Sequence, residues 1–185
     1  MLATLILSAL VAQATAYRIN PAASEAGFDL KATMHTVHGL TTRVTGGVRV
    51  EPADASTLKV SGKIEIGAAS IATGNEKRDA TLHGTSLLVS SFPTIVFAPE
   101  RFVPSGPEGA DGTTSGTLTG RLTIRGQTRP QAMTVTLAPR GERIVASGTF
   151  DVPWAEFGIP DPSFFVVRIE SVAHARFRAE FVPAR

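Results

Sequence analysis

The chain has 185 residues, no cysteine and a formal net charge of +2. The lack of cysteine excludes disulfides and thiol chemistry, and charges that are scattered without a basic block argue against nucleic-acid binding. A chain of this length fits one domain with a sizeable hydrophobic core, and no linker-like composition interrupts it.

The first sixteen residues form an apolar stretch that ends in Ala14-Thr15-Ala16. This small-x-small ending is typical of a signal-peptidase site, so we predict a signal peptide over residues 1–16 and one domain over residues 17–185. The stretch is shorter than the roughly 20 apolar residues that span a bilayer, and no later segment qualifies. We expect a periplasmic or secreted protein whose mature chain has no transmembrane segment.

Most of the remaining sequence alternates apolar and polar residues with the period of a half-buried β-strand. In the clearest run, residues 58–66, the aliphatic side chains fall on one face and the charges on the other. Further inward-facing runs lie at residues 28–34, 44–50, 95–97, 118–124, 133–137, 144–152 and 165–181. The pattern predicts an all-β protein, an extended antiparallel barrel of about eight strands.

One long break in the alternation lies between Ser70 and Phe97. Its segment Thr73-Gly74-Asn75-Glu76 fits a capping box, which predicts a short α-helix that begins at Thr73 and ends at Gly84. An apolar cluster follows at residues 87–92. We predict that the helix and this cluster lie at the mouth of the barrel.

The inward-facing residues include many small ones, such as Gly120, Ala146 and Gly148. In one interpretation they leave an open lumen that holds a ligand. In the other they allow the sheet to bend or to pack closely. We favour the open lumen.

Four segments resemble, in order and spacing, the YceI-like family of exported lipid-binding proteins: residues 70–84, 92–97, 116–130 and 156–159. The resemblance extends over essentially all of the chain after residue 16. It implies a lipocalin-like barrel whose apolar lumen holds a polyisoprenoid, a quinone or a similar long-chain lipid. It implies no catalytic residue, and the sequence contains no cofactor motif.

The sequence departs from the family pattern just before Phe157, where the family commonly has a basic residue and this chain has Trp154. If this corner lines the lumen, an indole takes the place of a charge. We therefore expect a neutral lipid rather than one that carries a phosphate.

The candidate lumen residues are large apolar side chains of the inward-facing runs and of the apolar cluster. They are Phe28, Met34, Leu88, Phe92, Phe97, Leu122, Met133, Phe150, Trp154 and Phe165. The candidates at the polar mouth are His38, Arg78 and His83, because guanidinium and imidazole groups can bind a headgroup. The alternative for Arg78 and His83 is a structural role, in which His83 pairs with Asp79 one helical turn earlier.

We do not expect a metal site at His35 and His38, because residues three apart on a strand face opposite sides and no third ligand lies nearby in the sequence. Motifs of nucleophilic, zinc-dependent or haem enzymes are absent from the sequence. We therefore favour a non-enzymatic lipid binder for transport, storage or stress protection. The alternatives are an enzyme that acts on isoprenoid lipids and a filled barrel with a structural or interaction role, and a homodimer stays open.

Overall fold

The computed structural model describes residues 14–54, 56–163 and 166–184. Over these residues the chain forms ten β-strands and one short helical segment. The strands are β1 (Thr15–Ile19), β2 (Glu25–Lys31), β3 (Thr36–Thr41), β4 (Val44–Asp54), β5 (Thr57–Gly67), β6 (Thr94–Pro104), β7 (Thr114–Ile124), β8 (Gln127–Arg140), β9 (Arg143–Pro153) and β10 (Val172–Pro183). The helical segment is α1 (Glu76–Thr81), continued directly by a π-helical stretch at Leu82–Ser86. Most of the predicted signal peptide, residues 1–13, lies outside the described residues.

The strands close into an antiparallel barrel with eight positions around the ring. The ring runs β1, β4, β5, β6, β7, β8, β9 and β10, and β10 pairs back onto β1. β2 follows β1 along the same edge of β10, and β3 pairs with β2 before the chain enters β4. Two of the eight positions are therefore occupied by interrupted strands. The predicted all-β barrel with one short helix is confirmed.

One end of the barrel, here named the mouth, carries α1, the turn between β2 and β3, and residues 154–163 and 166–171. Backbone hydrogen bonds of 2.9 Å join Leu40 and Ala72 in both directions, which connects β3 to the segment before α1. The backbone N–H of Glu170 donates to the carbonyl of Lys31 at 2.8 Å. These bonds bring the irregular segments of the mouth into contact with one another.

The last predicted strand was too long at its start. β10 begins at Val172, whereas the alternation predicted a strand from residue 165. Residues 166–171 cross the mouth instead, where Ile169 forms an isolated bridge with Ala32. Their backbone groups bond to the β2–β3 turn rather than to β9. The apolar–polar alternation therefore continues through these residues although their hydrogen-bonding partner has changed.

Four phenylalanine rings lie over glycines of a neighbouring strand. The pairs are Phe28 with Gly39, Phe97 with Gly120, Phe102 with Gly116 and Phe177 with Gly148. A Cβ atom at Gly120 would lie only 2.7 Å from Cζ of Phe97, and one at Gly148 only 2.9 Å from Cε1 of Phe177. The space beside these glycines is therefore filled by the rings, which corrects the interpretation that Gly120 and Gly148 leave open volume in the lumen.

Two further glycines set the backbone of the β4–β5 pair. Gly46 and Gly62 have φ angles of +116° and +129°, in a region that residues with a side chain rarely adopt. A side chain at Gly46 would also meet the carbonyl of Lys63. Glycine at both positions allows the two strands to approach closely where their backbones depart from the regular pleat.

On the outer face of the barrel, His174 of β10 lies between two carboxylates. Its Nδ1 is 2.7 Å from Asp151 Oδ1, and its Nε2 is 3.4 Å from Glu170 Oε2. The hydrogen bond with Asp151 raises the pKa of His174, and the charges of both carboxylates add to this effect against a smaller opposing contribution from desolvation.

The helices of the described residues are all too short or too polar to span a bilayer.

Replacement of Gly120 by alanine should destabilise the barrel. The added Cβ forces the Phe97 ring and the neighbouring carbonyl of Ala98 to move, and such overpacking costs roughly 1–3 kcal/mol. We expect Gly120→Ala to lower the free energy of unfolding by that amount in urea denaturation. The matched control is Gly106→Ala, where no atom lies within 4 Å of the added Cβ. Equal stability of the two variants would contradict the packing described here.

Stability should fall with rising pH through the titration of His174. Because its pKa is higher in the folded protein than the ordinary value of 6.5, the protonated ring stabilises the fold below that value, and this contribution is lost as the pH rises through the folded pKa. We expect the stability difference between wild type and His174→Gln to shrink as the pH rises above the ordinary pKa of 6.5. Urea denaturation over this range measures it, and parallel curves would contradict the assignment.

Candidate functional site

A cavity of about 570 Å³ runs through the interior of the barrel, from Arg78 at the mouth to Phe181 near the opposite end. Pockets for small molecules typically measure roughly 300–1,000 Å³. The wall is mainly aliphatic and aromatic. The described phenylalanines that line it are Phe28, Phe97, Phe102, Phe150, Phe177 and Phe181. Its composition suits an apolar guest of considerable length.

Most of the small residues that border the cavity are alanines. Ala146, Ala173 and Ala175 lie on its wall, on the adjacent strands β9 and β10. Short side chains on these two strands therefore contribute to the open volume, together with rings that lie over glycines elsewhere. Both interpretations of the small inward-facing residues apply, each at different positions.

The cap residue of the helix at the mouth lies two residues later in the chain than predicted. Asn75 is the N-cap, and its side-chain oxygen accepts a hydrogen bond of 3.0 Å from the backbone N–H of Arg78. Thr73 does not cap, because its hydroxyl is held by Asp79 and Arg78 instead. The helical segment also continues past Gly84, through Ser86. The capping-box prediction is thus wrong about the cap residue and right about a short helix in this segment.

The π-helical stretch turns two leucines toward the cavity. The backbone N–H of Leu87 donates to the carbonyl of Leu82 at 2.8 Å, five residues earlier. Both leucines line the cavity, and Leu87 is buried. The wider turn thereby places an apolar pair over the mouth.

Arg78 is the cationic residue of α1 that borders the cavity. Its Nε donates to the hydroxyl of Thr73 and its Nη2 to the carbonyl of Thr73, both at 2.7 Å. Thr73 in turn donates to Asp79 through its backbone N–H at 2.9 Å and through its hydroxyl. These hydrogen bonds are the main cause that lowers the pKa of Asp79, with smaller contributions from the charges of His83 and Arg78. The guanidinium is held at the rim by this network.

Seven of the residues predicted from the sequence lie on the cavity wall. They are Phe28, Phe97, Leu122, Met133, Phe150, Trp154 and Arg78. All the apolar ones except Trp154 lie on strands whose alternation is regular. Their role toward a ligand stays a prediction.

Three predicted lumen residues lie elsewhere. Met34 is 86% exposed because β2 ends at Lys31 and the chain turns outward. Leu88 adopts a φ of 50° in the turn after the π-helical stretch, and Leu87 takes the place on the wall. The Phe92 ring packs against Gly126 of the β7–β8 turn. Phe165 falls outside the described residues.

Two predicted polar residues also lie away from the cavity. His38 is 66% exposed on the outer face, where its Nδ1 is 2.7 Å from Asp29 Oδ1. His83 places its Nε2 2.8 Å from the carbonyl of Ile71, a structural contact with a different partner from the predicted Asp79. The hydrogen bond with His38 is the main cause that lowers the pKa of Asp29.

The corner at Trp154 borders the cavity as an apolar surface. The indole Nε1–H donates to the carbonyl of Glu170 at 2.8 Å, so the polar end of this side chain is already bonded. Trp154 begins a 3-10 turn that ends at Gly158, and Phe157 inside this turn is buried. The corner thus adds neither a charge nor an available N–H to the cavity.

Several wall residues were not singled out from the sequence. Phe177 and Phe181 could have been found, since both fall on the inward face of the last strand. Leu87 belongs to the apolar cluster predicted at the mouth, but its pairing with Leu82 could not have been found, because residues five apart match neither the strand nor the ordinary helix period. Tyr17 carries no pattern of its own, and its burial raises the pKa of its hydroxyl.

The described residues hold no group of three or more histidine, cysteine, aspartate or glutamate side chains that could bind a metal ion. His35 borders the cavity at the mouth, whereas His38 bonds to Asp29 on the outside. The two histidines therefore point to different surroundings.

The fold is similar to three solved structures of low sequence identity. The crystal structure of Burkholderia cenocepacia BcnA has a TM-score of 0.71 at 19% identity, covering 88% of this chain and 98% of that chain. A polyisoprenoid binding domain from Saccharophagus degradans has a TM-score of 0.73 at 12% identity, covering 92% and 99%. The Campylobacter jejuni YCEI protein has a TM-score of 0.59 at 18% identity, covering 83% and 88%. No curated protein matches the chain.

The sequence also matches the family model described as "YceI-like domain" over residues 17–180. This match begins at the residue that follows the predicted signal peptide, and it ends within β10. It includes all four segments on which the resemblance was based. The chain therefore belongs to the YceI-like domain family.

Proposed function

We propose that the protein is a non-enzymatic carrier that holds one long-chain neutral lipid, such as a polyisoprenoid or a quinone, in the barrel lumen. The observation that carries this proposal is the cavity of about 570 Å³ with its mainly aliphatic and aromatic wall. The structural neighbour from Saccharophagus degradans, described as a polyisoprenoid binding domain, supports the same class of ligand.

Burial of the lipid chain supplies the driving force. Each methylene removed from water contributes about 0.8 kcal/mol, so a prenyl chain binds with few polar contacts. A carrier of this type needs a dry wall and a mouth, and it needs no catalytic motif. The absence of such motifs from the sequence fits this requirement.

A neutral headgroup fits the mouth better than a phosphate. Trp154 occupies the position where the family commonly has a basic residue, and its N–H already bonds to Glu170. Two nitrogens of the Arg78 guanidinium donate to Thr73. The remaining Nη1 of Arg78 can donate to a quinone or hydroxyl oxygen at the rim.

Binding without turnover is favoured over an enzymatic role. His83 of the mouth helix, one candidate for a general base, has its Nε2 next to the carbonyl of Ile71 and is not part of the cavity wall. We further propose that the protein is exported, on the basis of the apolar residues 1–13 and the Ala14-Thr15-Ala16 ending.

Native mass spectrometry with lipid extraction tests the carrier proposal. We expect the mature protein, purified gently from the exported fraction, to carry a lipid of isoprenoid or quinone mass. Ala146→Phe fills the cavity and should lower the lipid-bound fraction several-fold. Thr149→Phe places the same side chain at an exposed position of the same strand and should leave binding unchanged.

Thermal unfolding identifies any variant that fails to fold. A wild-type protein that carries no lipid, and takes up none after incubation with a long-chain prenylated quinone, would contradict the proposal. Equal binding by the wild type and by a folded Ala146→Phe would contradict it as well.

The contact of Arg78 with the headgroup has its own test. A hydrogen bond from a charged donor is worth about 1.5–3 kcal/mol, so Arg78→Met should weaken binding of a prenylated quinone at least roughly tenfold. Binding of squalene, which has no headgroup, should not change. The control is Lys77→Met, an exposed cation on the same helix. Titration by native mass spectrometry measures both ligands, and equal losses for quinone and squalene would assign Arg78 a purely structural role.

A further inference from the structure

Two apolar side chains project from the mouth into solvent. Met34 is 86% exposed and Val166 is 84% exposed. Both lie beyond the ends of strands, Met34 in the turn between β2 and β3 and Val166 in the segment that leads to β10. Such exposure of large apolar side chains has no function in the packing of the barrel.

Met34 and Val166 lie in two segments, residues 31–35 and 166–169, which are here named the tips. Hydrogen bonds join the two tips. The backbone N–H of Thr33 donates to the carbonyl of Arg168 at 3.0 Å, and the N–H of Arg168 donates to the hydroxyl of Thr33 at 2.8 Å. The isolated bridge between Ala32 and Ile169 adds a further contact. Met34 and Val166 therefore belong to one connected projection.

The tips present one set of side chains to the cavity and another to solvent. His35, Val167 and Ile169 line the cavity. Met34, Val166 and Arg168 alternate with them and are exposed. The apolar wall of the lumen thus continues directly into the projecting side chains.

The exposed face of the tips is basic. Lys31 and Arg168 are both exposed, and neither tip contains an acidic residue. The carboxylates that come next in the chain are Asp29, Asp161 and Glu170. Asp29 pairs with His38 and Arg176. Glu170 pairs with His174, and Asp161 accepts a hydrogen bond of 2.9 Å from the backbone N–H of Ser163.

We infer that the tips form a membrane-docking surface, on which Met34 and Val166 enter an anionic bilayer while Lys31 and Arg168 contact lipid phosphates. Apolar side chains partition into the boundary between headgroups and acyl chains, and neighbouring lysine and arginine residues are attracted to anionic lipids. The mouth would then face the bilayer, so that a lipid passes from the membrane into the cavity without crossing water.

A bilayer fits this surface better than a protein partner does. A stable protein interface buries at least about 1,000 Å² with shape complementarity, whereas the tips offer two separate apolar side chains flanked by cations. The inference rests on the proposed function for its purpose, the exchange of a lipid, and on the tips themselves for the docking.

Vesicle flotation tests the docking. We expect the wild type to float with vesicles of phosphatidylethanolamine and phosphatidylglycerol in a 3:1 ratio, at about 0.1 M salt, and to float less at 1 M salt, where the charges are screened. The double variant Met34→Ser with Val166→Ser should lower the bound fraction at least fivefold. The double variant Lys31→Ser with Arg168→Ser should remove the preference for phosphatidylglycerol over phosphatidylcholine vesicles.

Val103→Ser is the matched control, because Val103 is a 40% exposed apolar residue near the end of β6, away from the mouth. It should float like the wild type. The docking is overturned if the wild type does not float, if the Met34/Val166 variant floats as well as the wild type, or if Val103→Ser loses binding equally. Binding of the tips to an exported protein, without binding to vesicles, would overturn it in favour of a protein partner.

Lipid retention in solution separates this inference from the proposed function. Met34 and Val166 lie outside the cavity wall, so their double variant should keep a bound lipid in native mass spectrometry. Ala146→Phe should lose the lipid and still float. A wild type that retains lipid but never floats would refute the docking and leave the carrier function intact.

Discussion

The packing of phenylalanine rings over glycines determines how the interior of this barrel is filled. An eight-stranded barrel has an interior that side chains can fill completely. Here Phe97 and Phe177 lie over Gly120 and Gly148 on neighbouring strands, where a side chain would otherwise stand. The rings supply apolar surface to the wall and take up the space of the missing side chains. The lumen beside these rings stays open.

The mouth differs from the lumen because most of its polar groups are already bonded to the protein. The indole N–H of Trp154 bonds to Glu170, and the His83 ring contacts the carbonyl of Ile71. Arg78 and Thr73 are bonded to each other. The mouth is therefore a largely apolar opening with the guanidinium of Arg78 held at its rim.

The fold could be predicted from the sequence where a strand has one wet face and one dry face. The alternation in residues 58–66 depends on this difference, and β5 spans that run. The start of β10 could not be predicted, because residues 166–169 alternate in the same way while their backbone bonds to the β2–β3 turn. Alternation reports which face is buried, and it does not report which strand is the partner.

The site was predictable to the same extent and for the same reason. Phe28, Phe97 and Phe150 follow the strand period and lie on the wall. Leu88 was predicted on the wall, but the hydrogen bonds of the π-helical stretch join residues five apart, and this wider turn places Leu87 there instead. The role of the glycines was hidden as well, because a covered glycine and an empty one look identical in a sequence.

The seam between β1 and β10 is the shortest in the described ring, with three paired residues from Tyr17 to Ile19. Ala16 stands directly before it, paired with Arg49 and accepting a hydrogen bond of 2.9 Å from the N–H of Ala184. Proteolysis requires an extended, accessible backbone, which a paired strand denies. Cleavage at the predicted Ala16/Tyr17 bond would therefore have to precede ring closure, and it would leave all three paired residues of the seam in the chain.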